Sequence, residues 1–520
     1  MHEYLYRVKQ ISIVFLILCP FYAFSMTAPS QQKIRMLYTS LDPLSIVQHL
    51  AFYELYPDTV EGKRALEDSW RLMGAETSTL ASLSLSKLDQ TIHALINLID
   101  KQPDQTASQI NEEAIFEINK AAATLENRKL KGHYVKTEAE VLALEPDEID
   151  LAHAIFLSQQ DISTAALQAK RNYEAAIDLM ALQIRARLPT AATPEQKIRT
   201  INDFIFHELG FRFPPHTLYV KEIDRYTFLS SVIDSRRGIC LGVSVLYLAI
   251  AQRLGLPLEI VTPPGHIYVR YRCKDKIINI ETTARGIDVE SREYLSIDTF
   301  ALQERNLKET VGLVHFNRAA DDLRTGTFDQ ALKSYEKAKL YMGNDCLLDE
   351  LMGTCFILNG NEEQGKRLLK KILLHSSPHT IGKSSTAQDY LNGKVNAEGL
   401  KTLFLHTEED HKSILAKQKI LQEAISRKPH FRAGICALAM TWIQLHRLGE
   451  ALELFEKYHA LDPSDPKIEY YLAVIYSERY NYPKAWKHFK NAESITAAHG
   501  HCPKALKEFK NSLSQQCPEE

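Results

Sequence analysis

At 520 residues the chain is too long for one hydrophobic core and divides into about three domains. Its 62 basic residues nearly balance 65 acidic ones, and no block of like charge stands out, so nothing in the composition favours nucleic acid or a polyanionic surface as partner. The apolar content is that of an ordinary globular protein, and three tryptophans offer no aromatic platform for sugars.

At the N-terminus Arg7 and Lys9 precede the apolar run Ile11–Cys19, followed by Ala23 and Ser25. A short basic region, an apolar run too short to span a bilayer comfortably and small residues two apart predict a secretory leader over 1–25, cleaved after Ser25. The product is then exported, periplasmic or secreted; an uncleaved anchor is the alternative. Leu18 is a poor residue before a lipidated cysteine. No later run reaches about 18 apolar residues, so no membrane span is expected once the leader is removed.

Residues 26–190 read as a helical N-terminal region. Apolar residues three and four apart mark helices over 80–99 and from Glu112 to Leu130. Glu145-Pro146-Asp147-Glu148 looks like a helix start, and Ala165 to Leu188 reads as one long helix. Pro189 to Pro194 punctuates the chain. Thr193 then caps a helix with Pro194 at its first position, running to Leu209-Gly210. Phe228 to Ile233 is a short helix. A turn, Arg237-Gly238, delivers Cys240 to the start of an apolar run that closes at Leu254-Gly255-Leu256-Pro257. Beyond it the period shortens: Leu258 to Thr262, His266 to Arg272 and Ile277 to Glu281 read as strands. Helices followed by antiparallel strands make an α+β layout over 191–304.

The C-terminal part, 305–500, repeats. Gly326, Phe328, Ala331, Tyr335 and Ala338 return 34 residues on as Gly360, Glu362, Gly365, Leu369 and Ile372; Leu448, Ala451, Phe455 and Tyr458 return as Tyr482, Ala485, Phe489 and Ala492. That period, with small residues at helix crossings, is the tetratricopeptide signature of an all-α solenoid. Five units fit, three clear and two worn, interrupted by a polar insertion from His375. Residues 501–520 remain as a tail.

Without Cys19 seven cysteines remain, an odd number that suits one free reactive thiol. Cys502 and Cys517 are placed to pair; Cys346, Cys355 and Cys436 sit in apolar helical settings. No spacing matches a zinc site, and His499-Gly500-His501-Cys502 stands alone near the end, so neither metal nor cofactor is expected.

The chemistry-bearing constellation is Cys240, then His266 after Pro263-Pro264-Gly265, then Glu281. A thiol at a helix N-terminus lies in the positive end of the dipole, which favours the thiolate. Cysteine, histidine and carboxylate in that order make a candidate nucleophile, base and orienter. Asn279, two residues from Glu281, is an alternative orienter. The Cys240 N–H is the natural first oxyanion donor, with Tyr226 a candidate for the second. Arg236 and Arg237 are either a solvated loop or a guide for acidic substrates. Tyr268, Arg270 and Arg272 alternate along the strand after His266 and either line the cleft or face water.

From about Asp147 to Thr283 the chain resembles the bacterial transglutaminase-like proteins of the SirB type. The strings that carry the likeness are Asn202-Asp-Phe-Ile-Phe-His-Glu-Leu-Gly-Phe, Arg236-Arg-Gly-Ile-Cys-Leu-Gly-Val-Ser-Val-Leu-Tyr-Leu, Ala251-Gln-Arg-Leu-Gly-Leu-Pro and Pro264-Gly-His. The resemblance implies a papain-related core in which Cys240 is the nucleophile, His266 the base and Glu281 stands at the usual aspartate position, for acyl transfer or hydrolysis of amides or esters. Repeats joined to such a core imply a protein partner or substrate. The alternative is a protein–protein interaction scaffold whose transglutaminase-like domain is inactive.

Overall fold

The computed structural model describes residues 29–74, 112–159, 164–215, 223–274, 276–375, 377–404 and 410–518, with single positions at 92, 96 and 103. The expected leader and most of the helix expected over 80–99 lie outside these residues. The fold is α+β: helices at both ends and a four-stranded sheet between them. No helix among the described residues is long and apolar enough to cross a membrane.

The N-terminal helices Gln31–Thr39, Ile46–Leu55 and Val60–Leu72 each begin on a hydroxyl cap, Ser30, Ser45 and Thr59, which accepts an otherwise unpaired backbone N–H. The helix from Glu112 stops at Ala121 and does not reach Leu130; tight 3-10 turns follow. The break turns two polar side chains inward. Buried Asn127 donates to Asp150 at 2.9 Å, and Arg128 pairs with buried Asp178. The expected helix start at Glu145 is instead a 3-10 turn, Pro146–Glu148, and the helix begins at Leu151 under an Asp150 cap. The long helix runs Thr164–Ala186. After Pro189, Thr193 and Gln196 form a capping box for Pro194–Asn202, which continues as a π-helical turn, Asp203–Glu208.

The helices Leu151–Ser158, Thr164–Ala186 and Pro194–Asn202 pack on the helix Cys240–Arg253. Every residue from Leu241 to Ala251 is buried, as expected of a helix apolar on all sides. Strands β1 (Glu259–Thr262), β2 (Tyr268–Cys273) and β3 (Lys276–Ile280) form an antiparallel meander beside it. A short fourth strand, β4 (Gln303–Arg305), pairs with the free edge of β1, giving the order β3-β2-β1-β4. Nothing in Gln303-Glu304-Arg305 alternates, so periodicity does not reveal it; the pairing holds it, with Arg305 bonded to Asp345 at 2.6 Å on its far side.

The C-terminal region is helical. Leu307–Thr325 packs with Phe328–Met342, Cys346–Leu358 with Glu362–Leu374, Arg432–Gln444 with Leu448–Leu461, and Pro466–Glu478 with Tyr482–Ala497. The four turns are alike. Gly326, Gly360, His446 and Tyr480 are left-handed (φ 79°, 86°, 56° and 59°), and the next residue donates its N–H to the carbonyl five before it, as from Asn361 to Phe356 and Asn481 to Tyr476, both at 2.8 Å. Two short helices, Ser385–Leu391 and Ala397–Lys401, follow the polar stretch that begins at His375. The tail is not loose: Lys504–Gln516 is a helix burying Leu506 and Leu513. The seven described cysteines are all free thiols, so Cys502 and Cys517 do not pair.

Two cores result. One runs without a break from Ile46 through the central helix to Cys355, crossing the Pro189–Pro194 punctuation. The other joins the helices from Leu421 to Leu513 and receives Ile297 from the segment that follows the sheet. That segment is fixed along its length. Lys504 pairs with Glu293 at 2.5 Å, His501 meets the Ser296 carbonyl at 2.8 Å, and Lys467 pairs with Asp298 at 2.9 Å.

At the far end of the central helix the Arg253 guanidinium is buried and donates through Nε to Asp178 at 2.5 Å and through Nη1 to the Ala249 carbonyl at 3.0 Å. Removing one partner of a buried pair strands the other charge. Asp178→Ala is therefore expected to destabilise the protein by about 3–5 kcal/mol in denaturant unfolding; a loss below about 1 kcal/mol would show the pair to be dispensable.

Candidate active site

The turn before Cys240 is built from main-chain bonds. Helix Leu229–Ser235 ends at Arg236, which is left-handed (φ 53°). Its carbonyl accepts the Arg212 N–H, the Gly238 N–H returns to the Arg212 carbonyl, and the Ile239 N–H donates to the Tyr226 carbonyl, each at 3.1 Å. Ser235 Oγ accepts the Arg237 N–H at 3.1 Å. Arg236 reaches inward to the Leu209 carbonyl at 3.1 Å, and both arginines are half-buried, so the pair is not a solvated loop. Cys240 is the first residue of its helix, half-buried against the core, and no side chain caps the turn. Gly242 is required one step further in: a Cβ there would stand 2.2 Å from the Tyr226 carbonyl oxygen. Tyr226 itself is buried and meets the helix start through its main chain.

His266 does not open a strand. It sits in the turn before β2, where Gly265 takes a left-handed φ of 70° and the His266 N–H closes on the Pro263 carbonyl at 3.1 Å. Glu281 likewise lies just past β3, capping the 3-10 turn Thr282–Ala284. These two displacements bring the side chains together: His266 Nε2 meets Glu281 Oε2 at 2.6 Å. The Cys240 thiol also acts on the imidazole, so the three residues picked from the sequence come together around His266.

The electrostatics follow from that placement. The interaction with Cys240, then the bond to Glu281, raises the His266 pKa from the ordinary 6.5 to about 9, against the opposing effect of burial. Burial alone would push Glu281 up, but hydrogen bonds from His266, Thr283 and Tyr294 outweigh it and hold the carboxyl below its usual range. Thr283 N–H donates to Oε1 at 3.1 Å and the Tyr294 hydroxyl donates to Oε2 at 2.6 Å. Buried Ser244, one turn along from Cys240, bonds Thr282 at 2.9 Å and ties the cysteine helix to the Glu281 turn.

Asn279 has other partners. It accepts from Arg270 Nε at 2.9 Å, and its amide donates to the Val289 carbonyl at 2.6 Å and to Ser291 at 3.1 Å. Tyr268 and Arg270 are buried and line this side of the site, whereas Arg272 faces outward. Tyr294 escapes sequence reasoning: it lies in a short 3-10 turn, Ser291–Tyr294, with no periodic signal. Its ring stacks between His266, with centroids 5.7 Å apart, and Tyr268, 4.4 Å away. His499 and His501 do not form a cluster with Cys502; they bond the Ile495 and Ser296 carbonyls.

A histidine whose pKa is raised on folding adds stability that is complete below about pH 6.5 and lost as the pH rises through about 9. An NMR titration of His266 is expected to give a midpoint near 9 in the wild type, falling toward 6.5 in both Glu281→Gln and Cys240→Ala. An unchanged midpoint in both variants would remove these bonds as its cause.

Residues 171–309 match the Transglut_core2 family, described as the Transglutaminase-like superfamily. Among curated proteins, a UPF0162 protein of Xylella fastidiosa (strain Temecula1) is 30% identical over 97 residues, covering 19% of this chain and 34% of its own length. F-box only protein 21 of Mus musculus is 30% identical over 105 residues, covering 20% of this chain and 15% of that protein, and its Homo sapiens counterpart is 26% identical over 179 residues, covering 30% and 26%. The chain thus spans about a third or less of the curated relatives it matches. Solved structures of MamA align with 35% of this chain at 17% identity, but with TM-scores of only 0.18 and 0.19. Cys240, His266, Glu281 and Tyr294 all fall within the matched segment, which is a transglutaminase-like domain.

Proposed function

We propose that this domain is a papain-related thiol enzyme acting on amide or ester carbonyls. The observation that carries the reading is the His266 imidazole, bonded to Glu281 at 2.6 Å and acted on by the Cys240 thiol. His266 takes the thiol proton, and Cys240 Sγ attacks the carbonyl carbon. The tetrahedral oxyanion is met by the Cys240 N–H at the helix start. Collapse breaks the bond to the leaving amine or alcohol, which receives the proton from His266, and leaves a thioester. Water or an acceptor amine then attacks, His266 removes its proton, and the thiolate departs. Glu281 fixes the imidazole with Nε2 toward the carboxylate and stabilises the imidazolium, and Tyr294 holds Glu281 in that role.

The C-terminal helices serve, in this reading, as a tetratricopeptide array that presents a protein substrate or partner. The 34-residue register and the recurring left-handed turns support it. The N-terminal leader would place the protein in the periplasm or outside the cell.

Alkylation tests the activated thiol. At pH 6 iodoacetamide is expected to modify Cys240 about tenfold faster than the exposed Cys273 and Cys502, and His266→Ala should abolish the difference. Equal rates would leave the domain as an inactive scaffold.

A further inference from the structure

In the last 34-residue period, three positions that the preceding period fills with aliphatic side chains carry metal-ligand types. His459, Glu469 and His488 stand 34 residues after Ile425, Ile435 and Leu454. Ile425 and Ile435 are buried in the second core. The three polar replacements converge from successive helices, Leu448–Leu461, Pro466–Glu478 and Tyr482–Ala497. Their ligand atoms all lie within 4.8 Å of one another.

The surroundings do not account for them as an ordinary hydrogen-bonded group. Glu469 is 1% exposed, and no lysine or arginine pairs with it among the described residues. His488 Nδ1 lies 2.7 Å from Oε2, which also receives the Asn491 amide at 3.3 Å. Oε1 is 3.1 Å from His459 Nδ1; both atoms are shielded from solvent, yet neither makes a hydrogen bond. A buried carboxylate needs a counter-charge and donors for its lone pairs, and each unmet requirement is unfavourable. A cation bound by all three groups meets both. Tyr476 stacks on His488, centroids 5.5 Å apart and planes within 8°, and holds that ring in place.

We propose that His459, Glu469 and His488 bind a divalent cation of the zinc class. Two imidazoles and one carboxylate favour such an ion over calcium or magnesium, which prefer oxygen alone. Bonds of about 2.1 Å set ligand atoms roughly 3–4 Å apart, so small side-chain rotations close the site. Three protein ligands leave a fourth position for water or a partner's side chain. The ion would tie three consecutive helices of the array together, and the site is independent of the chemistry at Cys240.

The test compares the chelator-stripped full chain with a variant that restores the aliphatic positions: His459→Ile, Glu469→Ile and His488→Leu together. Calorimetric titration with zinc chloride is expected to show one ion per chain that the triple variant does not bind, with a zinc-dependent rise in Tm confined to the wild type. Cobalt(II) chloride is expected to give d–d absorption without a thiolate charge-transfer band, which separates this site from the seven free cysteines. If the triple variant does not fold, Glu469→Gln takes its place and is expected to weaken zinc binding at least about tenfold. Absence of zinc binding in the wild type, equal binding by the variant, or a thiolate band in the cobalt spectrum overturns the proposal.

Discussion

The helix from Cys240 to Arg253 has no solvent face, and its position therefore rests on how its two ends are held. At one end the buried Arg253 guanidinium is bonded to Asp178 on the long N-terminal helix and lies 4.0 Å from Asp150, which also accepts from Asn127. Charge taken out of water tolerates few geometries, so this cluster sets the helix depth and register against the N-terminal region. At the other end Gly242 lets the main chain of Tyr226 approach closer than any Cβ would permit. Cys240 is presented between these two constraints.

The sheet contributes the rest of the site from its ends, not from its faces. Because His266 precedes β2 and Glu281 follows β3, both belong to turns anchored by main-chain bonds, and the antiparallel pairing of β2 with β3 brings those turns together. Behind them lies a stacked and bonded column: His266 on Tyr294, Tyr294 on Tyr268, and Arg270 bonded to the Tyr268 hydroxyl and to Asn279. The histidine is thus braced through its carboxylate partner and through its ring face, which limits its rotamers.

The same column joins the site to the C-terminal helices. Tyr294 is three residues from Ile297, and Ile297 is buried among the last helices. Between and beyond them, Glu293, Ser296 and Asp298 are bonded to Lys504, His501 and Lys467. Displacing this segment from the array would therefore disturb the side chain that braces Glu281.

The amino-acid sequence alone carries the α+β class, the buried cysteine helix, the strand meander and the 34-residue register, because each follows from local period, capping or turn chemistry. It also determined Cys240, His266 and Glu281 as one candidate set, since turn signals deliver each to the end of an element. Long-range packing brought Glu281 rather than Asn279 to His266, because that depends on which partners the Arg270 side chain claims across the sheet. It alone brought Tyr294 onto the imidazole, paired β4 with β1, ended the helix at Ala121 and made a helix of the tail. The gathering of His459, Glu469 and His488 belongs with these. They are ten and nineteen residues apart, fit no ligand spacing, and meet only because three helices pack side by side. Local pattern fixes what a segment wants to be; long-range packing and the pairing of buried polar groups decide which side chains meet.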